Sequence, residues 1–374
     1  MNDKQKSLLR EWATLKIIVG PEKLNAELKS HLTECGVLGP CVQHPLVYAV
    51  PYIPAMNGML NAQLRAKREA CAESLRKHDW SGYVIMHEKP YRFQALNSVS
   101  ELMSDEAFWE LFADTYVGSE NWHEPANRSM IESWLYDERG GPDALLHMMT
   151  DDERAEFVRL PQAFRVVRGW NRPGGFDGYS WSRSNGVAEW FAKRMQPEGV
   201  QAYVAVGRVS LRAVLAVFSR RSEREVLVST ADVRVSRIVI GGDCSKHDRR
   251  PVVSFDFDGT LHREMNGLDP AAWTHVPHAH VPTCDLLRRA AKDARVVIVT
   301  RRDQMQLDPV LDFVRVNELP VEAVYPTSDM PKQRVLGRLR PLVHYDDDPA
   351  TKQDCPEGTS FVLSQTQAVG RRSK

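Results

Sequence analysis

Three short apolar runs in the last third of the chain have the length of buried strands. They cover residues 251–255, 295–299 and 342–345, and polar residues follow each run at once. Continuous apolar runs of this kind are typical of parallel strands whose two faces are covered by helices. The pattern predicts an α/β domain with a parallel sheet over residues 251–374, and the polar residues after each run are expected at the ligand-binding edge of that sheet.

The first 150 residues have a different pattern, because their apolar positions recur at helical spacing. We predict a mainly helical region over residues 1–150, with one strand at residues 82–87. Two helical faces carry the evidence: Leu60, Leu64, Cys71 and Leu75 on one, and Ala107, Phe108, Leu111 and Phe112 on the other.

One capped helix and several short apolar runs predict an α+β domain over residues 151–240. Thr150-Asp151-Asp152-Glu153 has the spacing of a capping box, and Pro161 should end the helix that begins there. A glycine-containing, charged segment at 241–250 is predicted to link this domain to the next. Short apolar runs between the helix and the segment predict strands at residues 164–167, 200–206, 214–218 and 226–228.

Composition narrows the class of protein. The 374 residues carry 49 basic and 49 acidic side chains, so no global basic field indicates nucleic-acid binding. No stretch approaches 18 apolar residues and the N-terminus lacks the apolar core of a signal peptide, which predicts a cytoplasmic protein without membrane association. The six cysteines contain no CxxC pair, and we expect free or buried thiols.

The clearest chemical motif is Phe-Asp-Phe-Asp-Gly-Thr-Leu at 255–261. Asp256 and Asp258 should emerge together at the end of the first strand. Two such carboxylates can hold Mg²⁺ through their oxygens, while one attacks phosphorus and the other exchanges a proton with the leaving oxygen.

The other strand ends carry matching chemistry. Thr300 ends the second strand, and its hydroxyl suits a phosphoryl oxygen. Lys332 begins a predicted helix and can neutralise phosphate charge, while Asp346 and Asp347 follow the third strand.

This ordered set resembles the haloacid dehalogenase (HAD) superfamily of phosphohydrolases over residues 250–365. The resemblance implies a Rossmann-like sheet, Asp256 as the nucleophile that forms an aspartyl-phosphate, and Asp258 as general acid and base. Thr300 and Lys332 would bind the phosphoryl group. The Mg²⁺ site would comprise Asp256, Asp258 and Asp346 or Asp347.

Two departures refine the resemblance. Arg301 and Arg302 follow Thr300, where most members have glycine. The polynucleotide phosphatase branch has an arginine at the position of Arg302, which implies contact with a substrate phosphate and indicates a nucleotide or nucleic-acid substrate. Little more than one helix separates the first two motifs, so we expect a minimal cap.

Residues 164–228 carry a second signal. Arg168-Gly169 ends a predicted strand, Ser180-Trp181-Ser182 follows, and Glu223-Arg224-Glu225 precedes another strand. This order resembles the arginine-serine-glutamate class of mono-ADP-ribosyltransferases, which includes bacterial toxins and phage enzymes. If the protein is phage-encoded, its compartment is the host cytoplasm.

The resemblance implies NAD as a substrate. Glu225 would stabilise the oxocarbenium ion formed when the nicotinamide–ribose bond breaks, and Glu223 would orient or deprotonate the acceptor. Arg168 would hold the NAD phosphates or brace the site beside Gly169, and Ser180 would fix the glutamate. Trp181 and Phe191 would wall the nicotinamide pocket.

The histidines at 275, 278 and 280 form a HxxHxH cluster on a proline-broken loop. No cysteine or acidic partner falls at metal-ligand spacing, and we interpret these histidines as solvated or substrate-facing.

The sequence therefore predicts a bifunctional, multidomain enzyme. An ADP-ribosyltransferase-like domain would modify a macromolecular acceptor, with protein arginine as the first guess, and a HAD-type phosphatase would hydrolyse a phosphomonoester. The alternative is a nucleic-acid end-processing phosphatase whose N-terminal part only binds NAD or ADP-ribose, or docks the substrate.

Overall fold

The computed structural model describes residues 22–119, 125–136, 139, 141–172, 174–245, 248–262, 279–328 and 330–364. The chain forms a mixed α/β protein of two compact units, Met1–Thr150 and Asp151–Lys374. Within the described ranges, every helix is too short or too polar to cross a membrane.

The first unit combines helices with a small antiparallel sheet, in which β2 lies between β1 and β3. Its strands are β1 (Leu32–Glu34), β2 (Pro40–His44) and β3 (Val47–Ala49). Its described helices are α1 (Ala26–Ser30), α2 (Asn57–Arg76), α3 (Trp80–Met86), α4 (Arg92–Val99), α5 (Asp105–Gly118) and α6 (Pro125–Tyr136).

The predicted helical faces of this unit are largely confirmed. Leu60, Leu64 and Cys71 of α2 are buried in one core cluster, whereas Leu75 is exposed. The strand predicted at residues 82–87 is wrong, because this segment lies in α3. The Asp79 side chain accepts a hydrogen bond from the Gly82 amide and caps the first turn, a local signal that outweighs the β-propensity of the apolar residues.

The expectation of free thiols is wrong for one cysteine pair. Cys35 and Cys41 are joined by a disulfide, with their Cα atoms 6.2 Å apart. The turn between β1 and β2 brings the two residues together, since Glu34 pairs with Pro40 across the hairpin. Their spacing of six residues carries no CxxC signal. Cys71, Cys244, Cys284 and Cys355 are free.

The second unit is built on one sheet of eleven strands. Its strands are β4 (Ala163–Trp170), β5 (Ser180–Ser182), β6 (Tyr203–Ser210), β7 (Ala216–Phe218), β8 (Glu225–Leu227), β9 (Arg234–Ile240), β10 (Val252–Phe255), β11 (Arg295–Thr300), β12 (Ala323–Pro326), β13 (Val343–Asp346) and β14 (Ser360–Leu363). Its described helices are α7 (Asp151–Val158), α8 (Asn185–Lys193), α9 (Val281–Ala290), α10 (Asp308–Val316) and α11 (Gln333–Leu339).

The strand order is β14-β13-β10-β11-β12-β9-β6-β4-β5-β8-β7. The first five strands are parallel, and we call residues 248–364 the parallel half. The remaining strands pair antiparallel, and we call residues 151–245 the antiparallel half. The two halves share hydrogen bonds, because β12 pairs antiparallel with β9.

The runs predicted as strands lie in β4, β6, β7, β8, β10, β11 and β13. The sequence pattern missed β9, which continues the sheet directly up to the segment at 241–250. Its residues Ile238 and Val239 face Val324 and Ala323 of β12, and the Ile240 amide donates to the Glu322 carbonyl at 2.8 Å.

Chain order positions the parallel half for ligand binding. The chain passes from β10 through β11 to β12 on one side, then returns to β13 on the other side of β10. In open α/β sheets, ligands bind at such a reversal, outside the carboxyl ends of the strands. The carboxyl end of β10 is followed by Asp256.

Candidate active sites

A buried group of charged side chains lies at the carboxyl ends of β10 and β13. The Lys332 ammonium, only 2% exposed, donates to Oδ1 of Asp256 and, at 2.7 Å, to Oδ2 of Asp346. Asp256 is positioned by its own amide, which donates to the Tyr345 carbonyl at 2.7 Å. The structure thus brings together three residues that lie 76 and 14 positions apart in the chain.

The three charges of this group perturb one another. Burial raises the pKa of Asp256, and the attraction of Lys332 only partly opposes that rise. Burial acts in the same direction on Asp346, but hydrogen bonds from His344, Lys332 and the Asp348 amide hold its pKa below the usual range. Burial by itself lowers the pKa of Lys332, yet the two carboxylates together raise it.

A third carboxylate completes a cluster with the chemistry of a metal site. One oxygen each from Asp256, Asp346 and Asp347 lie within 4.8 Å of one another. Gly259, at φ +74°, leaves room for Asp347, because a Cβ at this position would lie 2.2 Å from Oδ2 of that carboxylate. Hard oxygen ligands at this spacing suit Mg²⁺, so the residues present fit the ion that the sequence predicts.

Asp258 was predicted to join the metal ligands, but its side chain is engaged elsewhere. The Arg302 guanidinium grips the Asp258 carboxylate with Nη2 at 2.8 Å and Nε at 3.0 Å, and lies 5.0 Å above the Phe257 ring. Arg302 is 8% exposed. The predicted phosphate-binding arginine therefore contacts the predicted acid and base.

Thr300 lies at the end of β11, fully buried. Its hydroxyl accepts a hydrogen bond from the Arg302 amide at 3.2 Å. Its backbone carbonyl accepts from the Thr327 amide at 2.8 Å. Thr300 thus stabilises the turn that directs Arg302 toward Asp258.

Two buried polar residues of this site were missed from the sequence. His344, on β13, places Nε2 3.2 Å from Oδ2 of Asp346 and Nδ1 2.9 Å from the Ser254 hydroxyl. Both His344 and Ser254 are fully buried, so they orient Asp346 rather than meet a substrate. The sequence did offer one signal for His344. It lies two residues before Asp346 in an apolar strand, so both side chains are expected on the same face.

The second candidate site surrounds Glu225, the first residue of β8. Ser182 of β5 pairs with Glu225 across the sheet, and the Ser182 hydroxyl donates to the Glu223 carbonyl at 2.7 Å. Glu225 is 8% exposed. Burial raises its pKa to about 7, although a hydrogen bond from Ser180 acts to lower it.

Arg168 braces this site through backbone contacts. Its guanidinium donates to the Gly175 carbonyl at 3.0 and 3.1 Å and to the Ser180 carbonyl at 2.5 Å. These bonds fix the loop between β4 and β5, which carries Ser180 toward Glu225. Of the two roles expected for Arg168, this geometry favours the bracing one.

The remaining predicted residues have mixed surroundings. Gly169 lets β4 approach α8 closely, because a Cβ there would lie 1.8 Å from the Ala188 carbonyl. Trp181 is 2% exposed, and Phe191 is half-buried with its ring packed edge-on against Trp190. Gly169 and Trp181 thus serve the core of the antiparallel half.

Glu153 is a residue of this site that the sequence did not single out. It is 1% exposed and lies on α7. Its Oε1 accepts from the Ser219 amide at 2.8 Å, and its Oε2 pairs with Arg220 at 3.2 Å. The loop at 219–224, which carries Glu223, is therefore tied to α7. The acidic capping pattern at 150–153 concealed this contact, since exposed acids are common there.

Of the histidine cluster, His275 and His278 lie outside the described residues. His280 precedes α9, and its Nδ1 lies 2.6 Å from the Thr283 hydroxyl at the start of that helix.

Comparisons with protein-family models, with curated proteins and with solved structures gave no match in any of the three. The functional conclusions rest on the sequence motifs and on the geometry of the two sites.

Proposed function

We propose that the parallel half is a Mg²⁺-dependent phosphomonoesterase of the HAD type. One observation carries this proposal: Lys332 bridges Asp256 and Asp346 at the reversal point of a parallel sheet, beside a third carboxylate. A structural ion pair would need one carboxylate to balance the lysine. The additional acids leave an excess of negative charge that suits a divalent cation and, with it, a phosphate.

In this mechanism Asp256 attacks the phosphorus of the substrate in line with the leaving alcohol. A bond forms from a carboxylate oxygen to phosphorus, the ester P–O bond breaks, and Asp258 donates a proton to the departing oxygen. Asp258 then removes a proton from the water that hydrolyses the aspartyl-phosphate. Bound Mg²⁺, held by Asp256, Asp346 and Asp347, would neutralise charge on the phosphoryl oxygens.

Arg302 gives this proposal a substrate preference. The guanidinium that now grips Asp258 can pair bidentately with a phosphate in the same way. We propose that the phosphate of the bound substrate replaces Asp258 as the partner of Arg302, which leaves Asp258 available for proton transfer. The substrate would be a phosphorylated nucleotide or nucleic-acid end, consistent with the resemblance to polynucleotide phosphatases.

The test is Mg²⁺-dependent release of phosphate from a small phosphomonoester and from oligonucleotides phosphorylated at the 3′ or 5′ end. Asp256→Asn should lower the rate at least about a thousandfold. Asp293→Asn, an exposed aspartate before β11, is the matched control and should retain the rate. Full activity of Asp256→Asn would refute the nucleophile, and an unchanged oligonucleotide preference in Arg302→Ala would refute the role of Arg302.

A second activity is favoured by one observation in the antiparallel half. Glu225 is a buried carboxylate whose pKa is raised to about 7, and it accepts a hydrogen bond from Ser180, whose carbonyl is bound by Arg168. Perturbed carboxylates of this kind are concentrated at functional sites. We propose that Glu225 stabilises the positive charge on the NAD ribose during ADP-ribosyl transfer, and that Glu223 orients or deprotonates the acceptor.

This proposal is tested with labelled NAD and a cell lysate, with mass spectrometry of both protein and nucleic acid for added ADP-ribose. Label transfer should disappear in Glu225→Ala and persist in Glu198→Ala, an exposed glutamate of the same half. Equal transfer by the wild type and Glu225→Ala would refute the assignment. Tight binding of NAD without turnover would instead favour an NAD-sensing module that serves the phosphatase.

A further inference from the structure

Three arginines form a row across adjacent strands of the antiparallel half. Arg165 of β4 pairs with Arg208 of β6, and Arg208 pairs with Arg234 of β9. All three side chains are exposed. Residues that pair directly across strands project from the same face of a sheet, so three arginine side chains leave this face from positions that together span about 10 Å.

The described residues offer these arginines only neutral contacts. Arg165 donates to the Asn185 side chain at 2.6 Å, and Arg208 donates to the Ala163 carbonyl at 3.2 Å. Arg234 lies against the sulfur of Met330. Within the described part of the chain, no carboxylate forms an ion pair with any of the three, although carboxylates pair with many other arginines of this protein.

Such a row carries a cost for the fold. Like charges placed directly opposite each other on neighbouring strands destabilise a sheet, and an acidic or neutral residue at position 208 would remove two repulsions at once. A bound anion would offset the same repulsion. The chain as a whole has no net charge, so the row is a local concentration of positive charge rather than part of a basic protein.

The row lies between the two candidate active sites. On one side, Arg165 is two residues from Val167, which pairs with Ser182, and Ser182 pairs with Glu225. On the other side, Arg234 contacts Met330, two residues before Lys332. A linear anion held along the row would therefore extend toward Glu225 at one end and toward the phosphate-binding lysine at the other.

We propose that Arg165, Arg208 and Arg234 bind the phosphodiester backbone of a single-stranded nucleic acid. Guanidinium groups pair bidentately with phosphates, and successive phosphates of one strand can meet successive arginines. The row is narrow, because Val167 and Val206, the neighbours of Arg165 and Arg208 along the same face, are buried. Arg237, which pairs with Val206, is partly buried and donates to the Cys244 carbonyl at 3.4 Å. A narrow row fits a strand of phosphates better than the broad layer of headgroups of an anionic membrane. This surface stands apart from either catalytic proposal, since it requires binding alone.

The experiment measures binding of fluorescent single-stranded oligonucleotides, RNA and DNA, by polarisation at a series of salt concentrations. The full chain is compared with the triple variant Arg165→Gln, Arg208→Gln, Arg234→Gln. Each phosphate contact to a single strand contributes about 0.7 to the slope of log affinity against log salt, so the variant should lose about 2 from that slope. We expect its affinity at low salt to fall at least about tenfold.

A second triple variant controls for net charge. Arg76→Gln, Arg289→Gln and Arg338→Gln remove the same charge from three exposed helical positions and should bind like the wild type. The row variant should unfold at a temperature no lower than the wild type, because the repulsion that it loses offsets the loss of the hydrogen bonds from Arg165 and Arg208.

Three outcomes would overturn the proposal. These are wild-type binding by the row variant, an equal loss of binding in the control variant, and arginine-dependent binding to phosphatidylserine vesicles without binding to either oligonucleotide. None of these outcomes depends on phosphatase or transferase activity.

Discussion

Replacement of Glu225 by glutamine should change how stability depends on pH. The pKa of Glu225 is about 7 in the folded protein, against 4.5 for an ordinary glutamate. The folded state thus binds the Glu225 proton more tightly than the unfolded state. The resulting stabilisation is fully present below pH 4.5 and is lost as the pH rises through 7.

The magnitude follows from the size of the shift. A difference of about 2.5 pKa units corresponds to about 3 kcal/mol of unfolding free energy, at about 1.4 kcal/mol per unit. Solvent does little to screen the charge of Glu225, because the residue is 8% exposed, so the full pKa shift contributes to the unfolding free energy. The glutamine variant cannot ionise at this position and lacks this component of the pH dependence.

The assay is denaturant unfolding of both proteins, followed by tryptophan fluorescence at several pH values between about 4.5 and 8. The quantity of interest is the stability of the wild type minus that of Glu225→Gln, which cancels the titration of all other groups. This difference should fall by about 3 kcal/mol across the range. Glu198→Gln is the control, because it shows how the removal of one exposed charge changes the unfolding free energy over the same pH range.

A difference that stays flat across this range, or that rises with pH, would refute the reasoning, because the pKa of Glu225 would then not be raised in the folded protein. Ser180→Ala extends the test. The hydrogen bond from Ser180 lowers the pKa of Glu225. Its removal should therefore move the loss of stability to higher pH.

Three further substitutions test contacts of the two sites. Gly259→Ala places a Cβ against the Asp347 carboxylate at a φ of +74° and should lower the unfolding free energy by about 1–3 kcal/mol. It should also raise the Mg²⁺ concentration needed for half-maximal activity. Glu153→Gln removes the charge that holds the loop at 219–224, and should cost roughly 2 kcal/mol and speed tryptic cleavage within that loop. Gly169→Ala forces β4 away from α8 and should cost about 1–3 kcal/mol in denaturant unfolding.

Each of these substitutions has a matched control. Gly337→Ala and Gly186→Ala introduce the same methyl group where the nearest neighbouring atom is 4 Å away or more, and should leave stability nearly unchanged. Asp152→Asn removes an exposed acid from the same helix as Glu153 and should leave tryptic cleavage at the wild-type rate. Equal effects of a substitution and its control would show that the contact seen in the structure does not govern the result.

The parallel half could be predicted from the sequence because its signals are local. An apolar run of four or five residues buries itself as a parallel strand, and the residue after it must lie at the carboxyl edge. Asp256, Thr300 and Asp346 all follow this rule. The contact between Asp258 and Arg302 does not follow from this rule. Arg302 comes after the neighbouring strand β11, and a contact between side chains 44 residues apart leaves no periodic pattern in the sequence.

The same limit explains the other misses. In the sequence, Glu153 is one of several acidic residues at the start of a helix. Only its contact with Ser219 in the structure shows that it holds the loop at 219–224. The segment at 82–87 is helical despite its strand propensity, because strand propensity is a weak signal and Asp79 caps the first turn of the helix. The pairing of β9 with β12 joins segments more than 80 residues apart, and pairing partners at that separation cannot be read from alternation in either strand.

The shared pairing of β9 and β12 determines how this protein can be divided. A cut within residues 241–250 would leave Ile238 and Val239 on one fragment and Ala323 and Val324 on the other, along two unpaired strand edges. Exposed apolar edges of this kind recruit other chains and aggregate. The two halves are therefore poor candidates for separate expression or for exchange between proteins by recombination.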